Sequence, residues 1–428
     1  MKGDWSAVTP RQWRTLVAAA LGWALDAFDV MLYALVLTHV MRDLSMDKPT
    51  AGLLGTLTLL ASGLGGVLFG YLADRVGRTR ALMLSILTYS ICSFLSGLAT
   101  SVAMLAVFRF VLGLGMGGEW NTGATLVAET WPAHLRARAL ALVQSSWALG
   151  YAAAALTAGF LLRYGNWRHV FFVGIAPALI ILWIRSRVPE SEMWLARQKT
   201  EAGAEAQSSS SSAASPSSTS SSLSSTSMAI IFSPAYRKTT IVLLLLNFCG
   251  MFAWWGLFTW LPPYLSLPVA EGGRGFSVLD TTKFLVVLNL VGMFPGYAGF
   301  GWMADRIGRR KSFILYTAMA ALLVPFYAQA RAPWAILWLG VVVAFFGTGF
   351  FSGSGIMGSE VFPTAVRARA LGFTYNGARA LSSVAPFVIG YVGKRQGLSG
   401  AFYLCAAGFF LASLLATQLP ETKGKVLE

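Results

Sequence analysis

A nine-residue motif occurs twice in this chain. Residues 70–78 read Gly-Tyr-Leu-Ala-Asp-Arg-Val-Gly-Arg, and residues 301–309 read Gly-Trp-Met-Ala-Asp-Arg-Ile-Gly-Arg, 231 positions later. Two further segments recur at the same offset: Glu-x-x-Pro-x-x-x-Arg-Ala-Arg-Ala-Leu at 129–140 and 360–371, and x-Pro-Glu-Ser/Thr at 188–191 and 419–422. Three landmarks at one constant offset indicate a duplicated unit, so the chain is expected to contain two copies of one structure.

The composition indicates what kind of structure is duplicated. Of the 428 residues, 56% are hydrophobic and only 12% are charged. A soluble protein of this length needs more polar surface, so the class is integral membrane and helical. The net charge of +15 comes from basic residues in short clusters between apolar runs, which is typical of membrane loops rather than of nucleic-acid binding. Cys92, Cys249 and Cys405 lack ligand-like spacing and are predicted to be packing residues, with no metal site.

Twelve apolar segments are near or above the ~20 residues that a membrane-spanning helix needs. They cover roughly 15–41, 50–73, 80–99, 102–128, 139–163 and 168–187 in the first half, and 237–266, 280–303, 312–331, 333–361, 369–394 and 399–419 in the second. The sequence therefore predicts an all-α integral membrane fold with a six-helix bundle at 15–187 and another at 237–419.

The remaining segments are predicted to be cytoplasmic. These are an N-terminal segment at 1–14, a linker at 188–236 and a tail at 420–428. Within the linker, the stretch 207–227 is rich in serine, with 14 serines from Ser208 to Ser227, and is expected to be a disordered tether rather than a phosphorylation site. With this topology about two thirds of the 33 Lys and Arg residues face the cytoplasm. Both termini and both motif copies are thus expected on the cytoplasmic side of the plasma membrane.

The repeated charges suggest a gate. Gly77 and Gly308 permit the tight turn between two helices. The candidate gating residues are Asp74, Arg75, Arg78 and Glu129 in the first copy and Asp305, Arg306, Arg309 and Glu360 in the second. The two glutamates are the expected partners of the motif arginines. We predict that these charges hold the cytoplasmic face closed in one state only; the alternative is that they merely fix helix orientation.

Charges without a counterpart in the other copy are candidates for function. Asp26, Asp29, Arg109, Glu119 and Arg379 lie within apolar spans, and their equivalents at the repeat offset are Leu257, Trp260, Gly340, Phe350 and Ala148. A charge at membrane depth costs at least ~2.5–3.5 kcal/mol, so each is expected to have a partner or a function.

Asp26 and Asp29 are three residues apart and share one helix face. At 1.5 Å per residue from Thr15, Asp26 lies about 16 Å deep. Two partly desolvated carboxylates this close tend not to be ionised together, so the pair is a plausible proton carrier. Glu119, in a glycine-rich stretch, is a further coupling candidate. The alternative is a structural pair satisfied by Arg109 or by backbone donors.

Arg379 is the preferred site for a substrate anion, because its planar fork matches a carboxylate. Tyr375 and Asn376 lie one turn before it and could add hydrogen bonds. A structural salt bridge is the alternative. Arg109 and Trp254 complete the candidate substrate-binding set. The cluster of Trp254, Trp255 and Trp260 could line a cavity or form a lipid-facing aromatic belt.

The paired Gly-x-x-x-Asp-Arg-x-Gly-Arg loops, the Glu-x-x-Pro-x-x-x-Arg-Ala-Arg segments and the twelve spans resemble the major facilitator superfamily over essentially the whole chain. That resemblance implies two six-helix bundles that rock about a central site. Residues 25–37, 109–120 and 376–379 are similar to the sialate:proton symporters, whose relatives carry lactate and other monocarboxylates. The aromatic-acid:proton symporters share the Asp-x-x-Asp pattern, although Ala27 stands where they usually have glycine.

These observations together predict proton-coupled uptake of a small organic carboxylate by a monomer in the lipid bilayer. The proton is the coupling ion, and no other cofactor is expected. Alternatives are an aromatic-acid symporter, a sugar transporter or a transporter-like sensor. The span at 241–266 has no glutamine, which disfavours sugar transport. The histidines His39, His134 and His169 lie near span ends without catalytic spacing, so an enzyme is not predicted.

Overall fold

The computed structural model describes residues 8–192, 194–196, 230–362 and 364–423, and these residues form helices joined by short turns. The serine-rich stretch 207–227 lies outside the described residues. The first half comprises α1 (Pro10–Asp43), α2 (Lys48–Val76), α3 (Arg78–Ser96), α4 (Val102–Thr130), α5 (Ala133–Tyr164) and α6 (Trp167–Arg187), the last interrupted by a 3₁₀ turn at Ala176–Leu179.

The second half repeats this order. It comprises α7 (Arg237–Ser266), α8 (Val278–Ile307, with a π-helical turn at Leu288–Met293), α9 (Arg309–Gln329), α10 (Pro333–Val361), α11 (Thr364–Ser382, continued at 385–396) and α12 (398–416). Gly397, with φ 76°, breaks the last long helical stretch and separates α11 from α12. The predicted all-α fold with two six-helix bundles is confirmed.

The first helix begins earlier than its apolar run indicates. Thr9 caps α1, since its hydroxyl accepts from the Gln12 backbone N–H at 3.3 Å and its own N–H donates to Gln12 Oε1 at 2.8 Å. This reciprocal capping box satisfies two backbone donors and starts the helix at Pro10, inside the segment that the sequence suggested was only a polar lead-in. The boundary is set by local hydrogen bonding rather than by hydropathy.

Glycines let the helices within a bundle approach closely. A Cβ added at Gly150 of α5 would lie 1.7 Å from the carbonyl oxygen of Ala24 in α1. A Cβ at Gly65 of α2 would lie 2.0 Å from the Leu114 oxygen in α4. In a membrane, association depends on such close packing because lipid offers no hydrophobic driving force between helices. Gly150 therefore helps to fix the position of α1, which carries Asp26 and Asp29.

The two bundles meet at one end of the molecule, which we call the distal face; the opposite end, with Arg78 and Arg309, is the motif face. At the distal face Lys394 Nζ lies 2.9 Å from Asp47 Oδ2, across the bundles. Lys48 Nζ donates to the Glu271 carbonyl at 2.9 Å. The hydrogen bonds from Thr50 and then from Lys394 hold the pKa of Asp47 well below its usual range. Asp47 therefore stays ionised at neutral pH.

Replacing Gly150 by Ala tests the close packing of α1 on α5. We expect the added methyl group to push the helices apart and to destabilise the protein by about 1–3 kcal/mol, the usual cost of overpacking. Thermal unfolding in detergent, followed by loss of monodisperse protein on gel filtration, measures the change. Gly70→Ala is the matched control, because a Cβ at Gly70 meets nothing within 4 Å. Equal midpoints for the two variants would contradict the packing argument.

Replacing Lys394 by Gln tests the closure of the distal face. An exposed ion pair contributes about 0.2–1 kcal/mol, so we expect the open population to rise by up to about fivefold. Spin-label distances across the distal face measure this change.

Asp47 should add no pH dependence to this distribution between pH 5 and pH 8. Since the folded pKa of Asp47 is lowered, its contribution is present above the ordinary value near 4 and is lost only in stronger acid.

The control for Lys394→Gln is Lys283→Gln, which removes an exposed pair with Asp280 within α8. If the two variants shift the distances equally, Lys394 has no specific role in closure.

Candidate functional site

The motif charges form the same clamp in each bundle. Arg78 donates from Nη1 to Asp74 at 2.7 Å and from Nη2 to Glu129 at 3.1 Å. In the second copy Arg309 lies 3.1 Å from Asp305 and donates to Glu360 at 2.9 Å. Each arginine thus joins the α2–α3 or α8–α9 turn to the end of α4 or α10. The partners expected from the sequence are in contact, and each clamp lies within one bundle; a gating role stays a prediction.

Two further glutamates complete the clamps. Glu190 accepts from the backbone N–H of Arg78 at 2.9 Å and of Thr79 at 3.1 Å. Glu421 accepts from the Arg309 N–H at 2.8 Å. A carboxylate at a helix N-terminus satisfies free donors and complements the helix dipole. Glu190 and Glu421 recur at the repeat offset in the sequence. The sequence did not indicate which groups the segments after α6 and α12 would contact, so it predicted no role for these two residues.

The other two motif arginines interact differently. The guanidinium carbon of Arg75 lies 4.4 Å from the Tyr71 ring centroid, and that of Arg306 lies 3.8 Å from the Trp302 ring. Neither takes part in an ion pair among the described residues. Their predicted gating role therefore has no support from a clamp contact.

A narrow central cavity lies between the two bundles. Its lining residues come from α1, α5, α7, α8, α10 and α11: Trp23, Gln144, Trp147, Met251, Trp254, Trp255, Tyr297, Phe351, Tyr375 and Arg379. Seven of these ten side chains are aromatic, and Arg379 is the one charged group among them. The cavity is thus a hydrophobic chamber with a single cationic contact.

The cavity contains hydrogen-bond donors that the protein leaves unused. Arg379 is 5% exposed, and its Nε and Nη2 have no partner among the described residues. The indole N–H groups of Trp23, Trp147 and Trp254 also lack a described partner. Buried donors are normally satisfied, so such a set indicates a place for an acceptor that the protein itself does not supply. Tyr375 lines the cavity beside Arg379, whereas half-buried Asn376 does not.

The tryptophan cluster of α7 faces inward. Trp254, Trp255 and Trp260 are at most 5% exposed, so the alternative of a lipid-facing belt is wrong for all three. The reason is that α7 packs against α1, α11 and α12, which leaves it little lipid contact. Trp260 donates from Nε1 to the Pro386 carbonyl at 2.8 Å and braces the distal face.

Three carboxyl groups lie together beneath the cavity. Asp26, Asp29 and Glu119 are each 1% exposed. Ser93 donates to Asp29 Oδ1 at 2.9 Å, while one oxygen of each aspartate and both oxygens of Glu119 have no described partner. Gly22, one turn before Asp26, makes room for Glu119, since a Cβ there would lie 2.3 Å from its Oε1. A cluster of this kind is not stable with all three groups ionised.

The two arginines interact with different aspartates. Arg379 is close enough for electrostatic interaction with Asp26 and with Glu119. Arg109 interacts with Asp29 and lies 4.8 Å from the ring centroid of Tyr33. All five charges that lacked a repeat counterpart therefore meet in one region of the molecule.

Sequence reasoning missed the residues of α3 in this region. Ser93 binds Asp29, and Tyr89 interacts electrostatically with all three carboxyl groups, while its buried hydroxyl has no described partner. A signal was available, because Tyr89 and Ser93 are four residues apart and so place two polar groups on one face of an apolar helix.

Comparison with known proteins bears out the fold and the class of function. Residues 19–298 and 274–427 match the Major Facilitator Superfamily. A putative metabolite transport protein of Haemophilus influenzae is 32% identical over 97% of this chain and 98% of its own length. Sialic acid transporter NanX of Escherichia coli is 31% identical over 94% of this chain and 92% of its own.

Comparison with solved structures supports the same fold. The inward-open xylose transporter XylE from E. coli superposes with a TM-score of 0.74 at 18% identity, covering 97% of this chain and 98% of XylE. A likeness at this identity supports the fold alone, while the family match and the full-length relatives carry the function class. The protein is therefore a multi-pass membrane transporter rather than an enzyme, and it belongs to the major facilitator superfamily.

Proposed function

We propose that this transporter takes up a small organic carboxylate together with a proton. The observation that carries the proposal is the Arg379 guanidinium, which is buried against an aromatic cavity with two unused N–H donor atoms. Arg stays protonated even when buried, so the cavity carries a permanent positive charge. A carboxylate is the ligand that best matches that charge and the fork of donors.

The shape and chemistry of the cavity narrow the substrate. The cavity is narrow and is enclosed by side chains from six helices, which suits a small molecule. Trp23, Trp147 and Trp254 offer indole N–H groups to further oxygens, and the aromatic walls favour a flat or unsaturated carbon skeleton. Relatives include a cis,cis-muconate transport protein and a niacin transporter of Acinetobacter baylyi, at 29% and 28% identity. An aromatic or unsaturated acid is therefore the favoured member of the class.

A neutral sugar fits less well. Sugar sites need many polar groups for the hydroxyls, and among the described lining residues only Gln144 supplies a side-chain amide. The transporter-like sensor also loses support, since the relatives named above are transporters or are described as transport proteins.

The carboxyl cluster supplies a route for coupling. When Asp26 is ionised it attracts Arg379 and competes with the substrate anion. When Asp26 is protonated, Arg379 is free to bind a carboxylate, so loading of the proton favours loading of the substrate. Asp29 and Glu119 are the other groups available to hold the proton.

The closed distal face suggests the state of the cycle and the topology. Backbone contacts such as Gly52 against Pro386 seal that end. If the motif face is cytoplasmic, as the distribution of basic residues suggests, the structure is closed to the outside and both termini lie in the cytoplasm of the cell, at the plasma membrane. The clamps then lie at the end where the substrate leaves.

Arg379→Lys tests the substrate site. The variant keeps the charge but loses the bidentate fork, so we expect binding to weaken by roughly 1.5–3 kcal/mol, or about 10- to 150-fold. Ligands are first found by thermal shift with benzoate, muconate, lactate, sialate and xylose, since at a fixed concentration a tighter ligand stabilises the folded protein more. The best ligand is then titrated against both proteins. Arg185→Lys on α6 is the control, because Arg185 is exposed outside the cavity. Unchanged affinity in Arg379→Lys would refute the assignment.

Asp26→Asn tests proton coupling. Removing the titratable group should abolish accumulation of the acid against its gradient in proteoliposomes, while exchange between two loaded sides, which need not release the proton, should persist. Asp280→Asn, at an exposed position on α8, is the control and should accumulate normally. If a protonophore does not change the rate of uptake by the wild-type protein, the proposal of proton coupling is refuted. Loss of exchange together with accumulation would instead indicate that Asp26 supports binding.

A further inference from the structure

A second narrow cavity lies between the bundles, toward the distal face. Its walls include Tyr33, Thr58, Arg109, Trp255, Thr259 and Pro386. Arg379 does not line it, whereas Trp255 contributes to the walls of both cavities. The two chambers are therefore neighbours, and each contains one arginine.

Arg109 holds the unused donors of this second chamber. Its side chain is 1% exposed, and its Nε and Nη1 have no partner among the described residues. Two of the three hydroxyl groups in its walls are already engaged, since Tyr33 donates to the Ala51 carbonyl at 2.8 Å and Thr58 donates to the Leu54 carbonyl at 2.9 Å; the third belongs to Thr259. An entering anion would thus meet the guanidinium as the principal free donor.

No carboxylate among the described residues forms an ion pair with Arg109. Asp29 interacts with it electrostatically, yet no ion pair within 4.0 Å joins them among the described residues, and Asp29 accepts from Ser93 instead. The ring of Tyr33 provides a cation–π contact, but its face supplies no hydrogen-bond acceptor. A purely structural arginine at this depth would be expected to reach a carboxylate or carbonyl oxygen.

We propose that Arg109 forms a second anion subsite, separate from Arg379, that holds a small monovalent anion. The anion is either the carboxylate of the substrate, in which case the inference rests on the proposed function, or a chloride ion. Trp255 separates this subsite from the central cavity. An acid arriving from the distal side would bind at Arg109 first and reach Arg379 after the Trp255 side chain moves.

The test uses the full-length protein with the central site removed. Arg379→Gln is compared with Arg379→Gln/Arg109→Gln and with Arg379→Gln/Arg274→Gln. Arg274 is the matched control, because it also lies over a tyrosine ring, at 4.6 Å from Tyr264, but donates to the Ala328 carbonyl and lines neither cavity. Binding of radiolabelled benzoate is measured by equilibrium dialysis, and thermal stabilisation is measured with sodium benzoate or sodium chloride against sodium sulfate at equal ionic strength.

We expect Arg379→Gln to keep saturable anion binding, and the added Arg109→Gln to weaken it by about 10- to 100-fold while Arg274→Gln leaves it unchanged. Retained benzoate binding identifies the substrate carboxylate as the occupant, and stabilisation by chloride alone identifies an inorganic anion. If neither anion binds Arg379→Gln, the subsite is refuted. One outcome separates the two proposals. If the wild-type protein binds no carboxylate, the proposed function is refuted. If chloride still stabilises Arg379→Gln in that case, and only while Arg109 is present, the subsite is supported.

A second measurement covers the case in which Arg109→Gln does not fold. Iodide quenches tryptophan fluorescence on contact, and Trp255 forms part of the wall beside Arg109. Iodide quenching is compared between Arg379→Gln and Arg379→Gln/Trp255→Phe. If iodide enters the chamber, the fraction of fluorescence that is quenched at low iodide concentration should be smaller in the double variant, because Trp255 is missing. An unchanged quenching curve would mean that no anion enters this chamber.

Discussion

Two guanidinium groups buried without a full set of acceptors govern the interior of this transporter. Arg109 and Arg379 each keep donor atoms that no described residue satisfies. In a low-dielectric interior such a group is costly unless a negative partner is at hand. The surrounding structure provides this partner only in part, through carboxyl groups that lie near the arginines. Under the proposed function, the substrate anion supplies the remaining negative charge.

The charges in this region can be balanced in a simple way. Asp26, Asp29 and Glu119 face two arginines, so the set is neutral when one carboxyl group holds a proton. Under the proposed function, an entering carboxylate adds a negative charge, and neutrality then requires one further proton. Under that proposal, the cost of leaving buried charges uncompensated would favour symport of one acid with one proton.

The residues that repeat between the two halves and the charged residues that do not repeat lie in different parts of the structure. The clamps around Arg78 and Arg309 repeat almost atom for atom, and each holds a helix turn within its own bundle. Each clamp therefore links helices of one bundle. The charged groups of the site have no such repeat. Symmetry therefore describes the scaffold, and the chemistry lies where the symmetry fails.

Much of this could be predicted from the sequence because the signals are local or repeat along the chain. Apolar length determines twelve spans, a constant offset determines two bundles, and membrane-depth charges mark the site residues. Helical spacing also placed Asp26 and Asp29 on one face, and the repeat matched Arg78 with Glu129.

Only the tertiary structure decided which of these groups meet. The periodicity of one helix gives the faces of that helix, whereas its neighbours depend on packing between segments far apart in the chain. For this reason the sequence left Trp254 between cavity and lipid, grouped Asn376 with Arg379, and gave no role to Tyr89 or Glu190. The separation of Arg109 and Arg379 into two chambers that share Trp255 likewise arises from contact between the bundles, which no local pattern encodes.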